Sequence, residues 1–162
     1  MVRQIIGAFL VLSLWGCGAM KPAPIYRAGE AGREAELPRV VREDLLNEIS
    51  LYHGAPYREG GTSMTGVDCS GLVQVVFTSL GLRLPRTVAE QYGHGIPVSS
   101  KDVRTGDLVF FGGSSLPSHV GIAISTREMI HASSSGGVVV ESIDAFAGSM
   151  RLVGIRRIVR LD

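Results

Sequence analysis

The feature that most constrains the fold is a change in residue pattern near Lys101. Before it, Pro38 is suited to the first turn of a helix, and apolar residues follow at i, i+4, i+8 and i+11: Val41, Leu45, Ile49 and Tyr52. After it come short β-branched segments separated by Gly and Ser: DLVFF, HVGIAIS, EMIHAS, GGVVVES and LVGIRRIV. We count about five strands in these segments. Helices followed by an antiparallel sheet predict an α+β fold.

A second helix is predicted over residues 69–80. Asp68 is a suitable N-cap, and Gly81 supplies the stop at the C-terminal end. The β-branched run 73–77 leaves a strand open as the alternative, although the length and the caps favour a helix. Thr87 and the glutamate three residues later have the spacing of a capping box, which predicts a third, short helix.

The N-terminus has the pattern of an export signal. Arg3 precedes an apolar run of 11 residues, 5–15. A helix of that length, at about 1.5 Å per residue, does not cross a hydrocarbon core of about 30 Å. The run is therefore interpreted as the apolar region of a signal peptide, with a short buried helix as the alternative.

Residues 14–17, Leu-Trp-Gly-Cys, resemble a bacterial lipobox. This predicts a signal peptide over 1–16, a lipid on Cys17, a flexible tether within 17–37 and one domain over 38–162. Gly18 stands where an Asp would indicate retention at the inner membrane. We therefore expect the protein to be lipid-anchored in the cell envelope, at the outer membrane, and to face the periplasm.

Charge and cysteine count narrow the classes of function. The net charge is +1, so nothing indicates nucleic acid as a partner. Of the two cysteines, Cys69 would be the sole free thiol if Cys17 carries a lipid. An unpaired thiol in an oxidising compartment is open to oxidation, which favours a functional reason for its presence. A disulfide between Cys17 and Cys69 is the alternative.

Two of the four histidines are candidates for chemistry. His119 and His131 stand on neighbouring predicted strands, twelve positions apart, so a hairpin can bring them face to face. A histidine on a strand is otherwise an ordinary core or surface residue. We predict that His53 and His94 are exposed structural residues and assign them no role.

A thiol and two histidines suit nucleophilic catalysis. A free cysteine, with a pKa of about 8.5, is only slightly ionised at neutral pH, so it needs activation. The first turn of a helix favours the thiolate of Cys69, and a nearby His119 can hold the proton and later donate it. His131 can orient His119, and the Cys69 N–H can stabilise an oxyanion. A Cys-His-His zinc site is the alternative; the chain has neither CxxC nor HExxH spacing, and we predict no metal.

These residues stand in motifs that resemble the NlpC/P60 cysteine peptidases over residues 40–161. The motifs, in order, are PYREGG, GVDCSGLVQVVF, LPRTVAEQ, RTGDLVFF, SHVGIAI and MIHASSSGGVVVES. The resemblance implies a papain-like fold with Cys69 as nucleophile, His119 as general base and acid, and His131 as the third, orienting residue. It also implies that Tyr57 lies beside the sulfur and assists the oxyanion.

The resemblance further implies that Asp68 and Ser70 line the substrate pocket, so Asp68 is either an N-cap or a substrate contact. The implied function is hydrolysis of peptidoglycan stem peptides, at the γ-D-glutamyl–diaminopimelate or the D-alanyl–diaminopimelate bond, by a monomer without a cofactor. Two alternatives remain. One is a non-catalytic lipoprotein that binds peptidoglycan or a protein partner, and the other is an amidase or acyltransferase on the same fold.

Overall fold

The computed structural model describes residues 34–113 and 116–162. The described residues contain four helices: α1 (Arg42–Tyr52), α2 (Cys69–Ser79), α3 (Val88–Tyr92) and α4 (Ile143–Ser149). They contain ten strands: β1 (Arg39–Val40), β2 (Thr62–Ser63), β3 (Gly66–Val67), β4 (Ile96–Val98), β5 (Leu108–Phe111), β6 (His119–Ala123), β7 (Glu128–Ser133), β8 (Gly137–Ser142), β9 (Leu152–Arg157) and β10 (Arg160–Leu161). Single 3-10 turns lie at Glu34–Glu36 and Ser100–Asp102.

The main sheet has six antiparallel strands in the order β4-β9-β5-β6-β7-β8. The five strands predicted after Lys101 are all present as β5 to β9, and the α+β class is confirmed. The sixth strand, β4, was not predicted because Pro97 lies at its centre. A proline is tolerated there because β4 is at the edge of the sheet, where one side of the strand needs no hydrogen-bond donor.

Each face of the sheet has its own apolar core. All four residues of β5 are buried, and they alternate between the two faces. Leu108 and Phe110 belong to the larger core, which α1 and α2 cover. Val109 and Phe111 belong to the smaller core, which α4 covers. A central strand covered on both faces explains why DLVFF reads as a continuous apolar run.

Helix α2 is the buried helix of the domain. Leu72, Val73, Val76 and Phe77 are fully buried, because α2 lies between α1 and strands β6 and β7. The predicted caps are both present. Asp68 accepts a hydrogen bond from the Gly71 N–H at 2.7 Å, and Gly81 has a φ of +82°. The capping box of α3 at Thr87 is also present.

The start of the first helix was wrongly predicted. Pro38 is not in the first turn of α1, which begins at Arg42. The Pro38 carbonyl instead accepts a hydrogen bond from the Arg160 N–H at 2.8 Å, and β1 pairs in parallel with β10. Pairing with the far end of the chain is a long-range event that a local pattern does not indicate. Just before it, Leu37 is buried at 3% exposure.

Two further elements were not predicted. The glycine-rich segment after Pro56 contains the small β2–β3 hairpin, and α4 lies between β8 and β9. Among the described residues, no helix has both the length and the apolar composition needed to cross a membrane. The predicted signal peptide, Cys17 and most of the tether lie outside the described residues.

Candidate active site

The cysteine of the GVDCSG motif is the first residue of α2. A hairpin loop packs closely against this helix end, since a Cβ added at Gly71 would lie 2.1 Å from the Gly61 carbonyl oxygen. The Asp68 N–H donates to that same carbonyl at 3.3 Å. Gly71 is therefore required for close backbone approach, and the contact holds Cys69 in position beside the loop.

Backbone N–H groups surround the Cys69 sulfur. Burial raises the pKa of the thiol, and the N–H of Val120, directed at the sulfur, opposes this effect. The Asp68 carboxylate raises the pKa further. Because Val120 follows His119 directly, this contact places the thiol at the start of β6. The net raised pKa favours a neutral thiol in the free protein, which differs from the thiolate expected from the helix dipole alone.

The two predicted histidines are in contact. The Nε2 atom of His119 lies 2.9 Å from the Nδ1 atom of His131, and the rings meet edge to face. His131 is 1% exposed, while His119 is half-buried. Burial, followed by the neighbouring His131, lowers the pKa of His119 to about 4. His119 is therefore a neutral imidazole at neutral pH, the form that can accept a proton.

A glutamate lies behind the histidine pair. The Oε2 atom of Glu141, on β8, is 3.2 Å from the Nε2 atom of His131. Burial lowers the pKa of His131, and the Glu141 carboxylate partly opposes this effect. His119, His131 and Glu141 therefore form a continuous chain of polar contacts that crosses three neighbouring strands, β6, β7 and β8.

An aromatic side chain of α4 covers both histidines. The Phe146 ring stacks on His119 with a centroid distance of 5.1 Å and an interplanar angle of 28°. It meets the His131 ring at 4.9 Å and 65°. This ring excludes water from one side of the pair, which explains why burial is the largest cause of the lowered histidine pKa values.

Asp68 is the centre of a polar cluster beside the thiol. Besides capping α2, its carboxylate accepts the Gly60 N–H at 2.8 Å and binds both terminal nitrogens of Arg86. Burial by itself raises the pKa of Asp68, but these hydrogen bonds outweigh it and bring the pKa below 3.8. The Ser70 hydroxyl accepts a hydrogen bond from Arg86 at 2.8 Å. The predicted N-cap role of Asp68 is confirmed, and its role as a pocket residue stays a prediction.

Tyr57 lies at the edge of the cluster with 36% of its surface exposed. It forms a β-bridge with Val67, which brings it to the strand that leads into α2. Burial raises the pKa of its hydroxyl, and the charges of Cys69 and Asp68 add to the effect. The hydroxyl is thus within electrostatic range of the thiol, as the predicted oxyanion role requires.

The other two histidines differ from each other. His53 is exposed, as predicted. The prediction for His94 was wrong, since it is only 7% exposed. Its Nδ1 atom lies 2.8 Å from the Glu90 carbonyl oxygen, which only accepts, so Nδ1 carries the proton. The flanking glycines suggested a loop surface, but the turn after α3 folds back and buries the ring.

Four residues near the site were given no role from the sequence: Arg86, Gln91, Glu141 and Phe146. Arg86 and Gln91 stand in the LPRTVAEQ motif, and Gln91 donates to the Ser70 carbonyl at 2.9 Å. The motif was a signal for these two residues. Glu141 stands in the motif MIHASSSGGVVVES, which was a comparable signal, although its contact with His131 depends on sheet register. Phe146 had no such signal, because its contacts depend on the unpredicted α4. Within the described ranges, no three His, Cys, Asp or Glu side chains are grouped as metal ligands.

Comparison with known proteins identifies the family. The profile of the NlpC/P60 family matches residues 54–157, which include the thiol, both histidines and Glu141. The chain belongs to the NlpC/P60 family. A Haemophilus influenzae family member named a probable endopeptidase is 44% identical over 162 residues, covering 96% of this chain and 99% of the relative.

Two further matches agree with this assignment. The Escherichia coli protein named murein DD-endopeptidase MepS/murein LD-carboxypeptidase is 39% identical over 120 residues. That match covers 74% of this chain, and the chain spans 64% of the length of that relative. The crystal structure of an NlpC/P60 family protein from Bacillus cereus has a TM-score of 0.70 at 29% identity, covering 76% of this chain and 42% of the other.

Proposed function

We propose that this protein is a peptidoglycan endopeptidase of the cysteine-peptidase type, with Cys69, His119 and His131 as its catalytic triad. The observation that carries the proposal is the 2.9 Å contact between the two imidazoles at the start of β6, where the Val120 N–H is directed at the Cys69 sulfur. The names of the Haemophilus influenzae and Escherichia coli relatives, both endopeptidases, support the same reaction class.

The chemistry begins from an uncharged thiol and an uncharged imidazole. Because Nε2 of His119 is engaged with His131, Nδ1 is the ring nitrogen left for the thiol proton. The sulfur attacks the carbonyl carbon of the scissile amide while Nδ1 takes the proton. The tetrahedral oxyanion is stabilised by the Cys69 N–H at the start of α2 and by the Tyr57 hydroxyl.

The imidazolium then donates its proton to the leaving amine, which departs and leaves a thioester on Cys69. Water attacks the thioester, and His119 takes one of its protons. The products are the free carboxyl group of the acyl fragment and the regenerated thiol. A His119 pKa of about 4 makes the imidazolium a strong acid toward the amine, so protonation of the leaving group is favourable.

The proposed scissile bonds are the γ-D-glutamyl–diaminopimelate bond and the D-alanyl–diaminopimelate cross-link. Intact sacculi and defined muropeptides are incubated with the protein, and the products are identified by mass spectrometry. Cleavage of the cross-link converts muropeptide dimers to monomers, whereas cleavage of the other bond shortens the stem. We expect Cys69→Ala to lose all detectable cleavage while it keeps the wild-type melting temperature. Equal product formation by this variant would refute the assignment of the nucleophile.

We further propose that Cys17 carries a lipid and that the domain faces the periplasm at the outer membrane. The support is the apolar run and the Leu-Trp-Gly-Cys sequence at 14–17. Metabolic labelling with an alkyne fatty acid should mark the wild type and not Cys17→Ala, and fractionation should place the wild type with outer-membrane markers. Equal labelling of both proteins would contradict the proposal.

A further inference from the structure

We propose that Glu141 is a positioning residue that selects the tautomer of His131 and, through it, the tautomer of His119. The inference rests on the proposed function, because it concerns the base that would activate Cys69. A carboxylate at the end of the histidine pair determines which nitrogen of His119 is free to accept the thiol proton.

Sheet register holds Glu141 in this position. Glu141 pairs with Met129 across β7 and β8, and His131 follows two residues after Met129 on the same face. The side chain then reaches His131 diagonally, with 3.2 Å between Oε2 and Nε2. The His131 side chain is 1% exposed and that of Glu141 is 41% exposed, so the carboxylate contacts both the buried imidazole and the solvent.

The tautomers follow from donor and acceptor rules. An ionised carboxylate only accepts, so the Nε2 atom of His131 must carry a proton. In the neutral ring, the Nδ1 atom of His131 is then an acceptor, and it receives the Nε2–H of His119 at 2.9 Å. The Nδ1 atom of His119 is therefore unprotonated and can act as a base. The opposite tautomer of His131 would reverse this chain and place a proton on the Nδ1 atom of His119.

The negative charge of Glu141 also favours proton transfer to His119 once the reaction starts. The titratable groups from the elements around the pair are His119 on β6, Glu141 on β8, and Cys69 with its neighbour Asp68 at the start of α2. Helix α4 contributes the uncharged Phe146 ring. Glu141 is thus the carboxylate in contact with the pair among the described residues, and it stabilises the imidazolium that forms when His119 takes the thiol proton.

Nuclear magnetic resonance of the full chain with ¹⁵N-labelled histidines tests the tautomers directly. The chain has four histidines, so each ring can be assigned by single substitution. We expect His119 and His131 to show protonated Nε2 and unprotonated Nδ1 at neutral pH. His94 is an internal reference with the opposite pattern, because its Nδ1 donates to the Glu90 carbonyl.

The variants are Glu141→Ala and Glu141→Gln, with Asp144→Asn as the charge-matched control. Asp144 is exposed in the first turn of α4, three positions from Glu141. In Glu141→Gln, the amide can donate as well as accept, so we expect His131 to populate both tautomers and His119 to follow. Asp144→Asn should leave the wild-type pattern. Unchanged His131 and His119 signals in both Glu141 variants would overturn the proposal.

Kinetics on a defined muropeptide provide the second readout. We expect Glu141→Ala to reduce kcat/KM by about 10-fold to 100-fold. Loss of the hydrogen-bond partner that orients a metal-binding histidine has an effect of this size in metalloproteins. The acidic limb of the pH profile of kcat/KM should move to lower pH, because the carboxylate that favours protonation of His119 and His131 has been removed. A merely structural role would lower activity without moving that limb. A kcat/KM within twofold of Asp144→Asn would overturn the catalytic part of the proposal.

The two readouts separate this inference from the proposed function. If the wild type cleaves no muropeptide, the proposed function fails, while the ring signals still report whether Glu141 selects the tautomer. If the wild type cleaves and the ring signals do not respond to Glu141, only the positioning role fails. Glu141→Gln keeps the size of the side chain, so it serves where the Ala variant is poorly folded.

Discussion

The pair formed by Asp68 and Arg86 should stabilise the domain as well as the start of α2. The Asp68 side chain is 12% exposed and the Arg86 side chain is 34% exposed. Asp68→Asn keeps one oxygen that can accept the Gly71 N–H but removes the charge that Arg86 pairs with. The substitution therefore separates the cap from the ion pair.

The magnitude follows from the burial of the two partners. Removing one partner of a fully buried pair costs about 3–5 kcal/mol, and an exposed pair contributes about 0–1 kcal/mol. Because Arg86 is one-third exposed, water screens its charge, and we expect a loss of about 2 kcal/mol for Asp68→Asn. In a chain of this size that lowers the melting temperature by about 4–8 °C. Asp68→Ala also loses the cap, which adds about 1 kcal/mol.

A double-mutant cycle measures the pair. Urea unfolding of the wild type, Asp68→Asn, Arg86→Gln and the double variant should give a coupling energy of about 1–2 kcal/mol. Asp44→Asn, in the exposed first turn of α1, is the control and should change stability by no more than about 0.5 kcal/mol. A coupling energy below about 0.3 kcal/mol would refute the ion pair as a source of stability.

The pH dependence of the same variants provides an independent check. The pKa of Asp68 is below its ordinary value of 3.8 in the folded protein, so the unfolded chain binds the proton more tightly. The stability that Asp68 contributes is therefore fully present above pH 3.8 and is lost as the pH falls through the folded pKa. The difference in unfolding free energy between the wild type and Asp68→Asn should shrink in that acidic range. A constant difference would contradict the lowered pKa.

Three further substitutions test other contacts around the site. Phe146→Ala should let water reach the histidines and raise the pKa of His119 from about 4 toward 6.5, so the acidic limb of kcat/KM moves to higher pH; Phe146→Leu, which keeps an apolar cover, should move it less. Gly121→Ala would place a Cβ 2.7 Å from the Met129 sulfur and 3.3 Å from the Cβ of His131. We expect the displaced ring to lower kcat about tenfold or more, and overpacking of the core to lower the unfolding free energy by about 1–3 kcal/mol. Asp107→Asn removes the charge that pairs with the buried Arg157 of β9. The Nε and Nη2 atoms of Arg157 lie 2.8 Å and 2.9 Å from the two Asp107 carboxylate oxygens. Chemical unfolding should show a loss of about 3–5 kcal/mol, and a loss below 1 kcal/mol would contradict the buried pair.

Local signals in the sequence were sufficient for much of the fold. Asp68, the apolar run after it and Gly81 are close neighbours in the chain, and together they bound α2 to within one residue of its observed end. The five β-branched segments after Lys101 all became strands, because each carries its own turn residues. His119 and His131 lie on two predicted strands only twelve positions apart, which is why the contact between the two histidines could be predicted.

Long-range contacts decided the rest. Strand β4 depends on pairing with β9, about 60 positions away. Its central proline argues against a strand when only the neighbouring residues are considered. Helix α4 is short and contains a glycine, so its formation depends on Ser142 as N-cap and on packing over the smaller core.

The arrangement around the reactive groups shows the same division. The residue types of the proposed triad could be chosen from the sequence, because a cysteine at a predicted helix start and two histidines on neighbouring predicted strands suit nucleophilic catalysis. The partners that determine their protonation could not. Glu141 reaches His131 only through the register of β7 and β8, Phe146 covers the pair only once α4 has folded, and Arg86 meets Asp68 across 18 positions. Protonation depends on burial and on neighbouring charge in three dimensions, so it is a property of the tertiary structure.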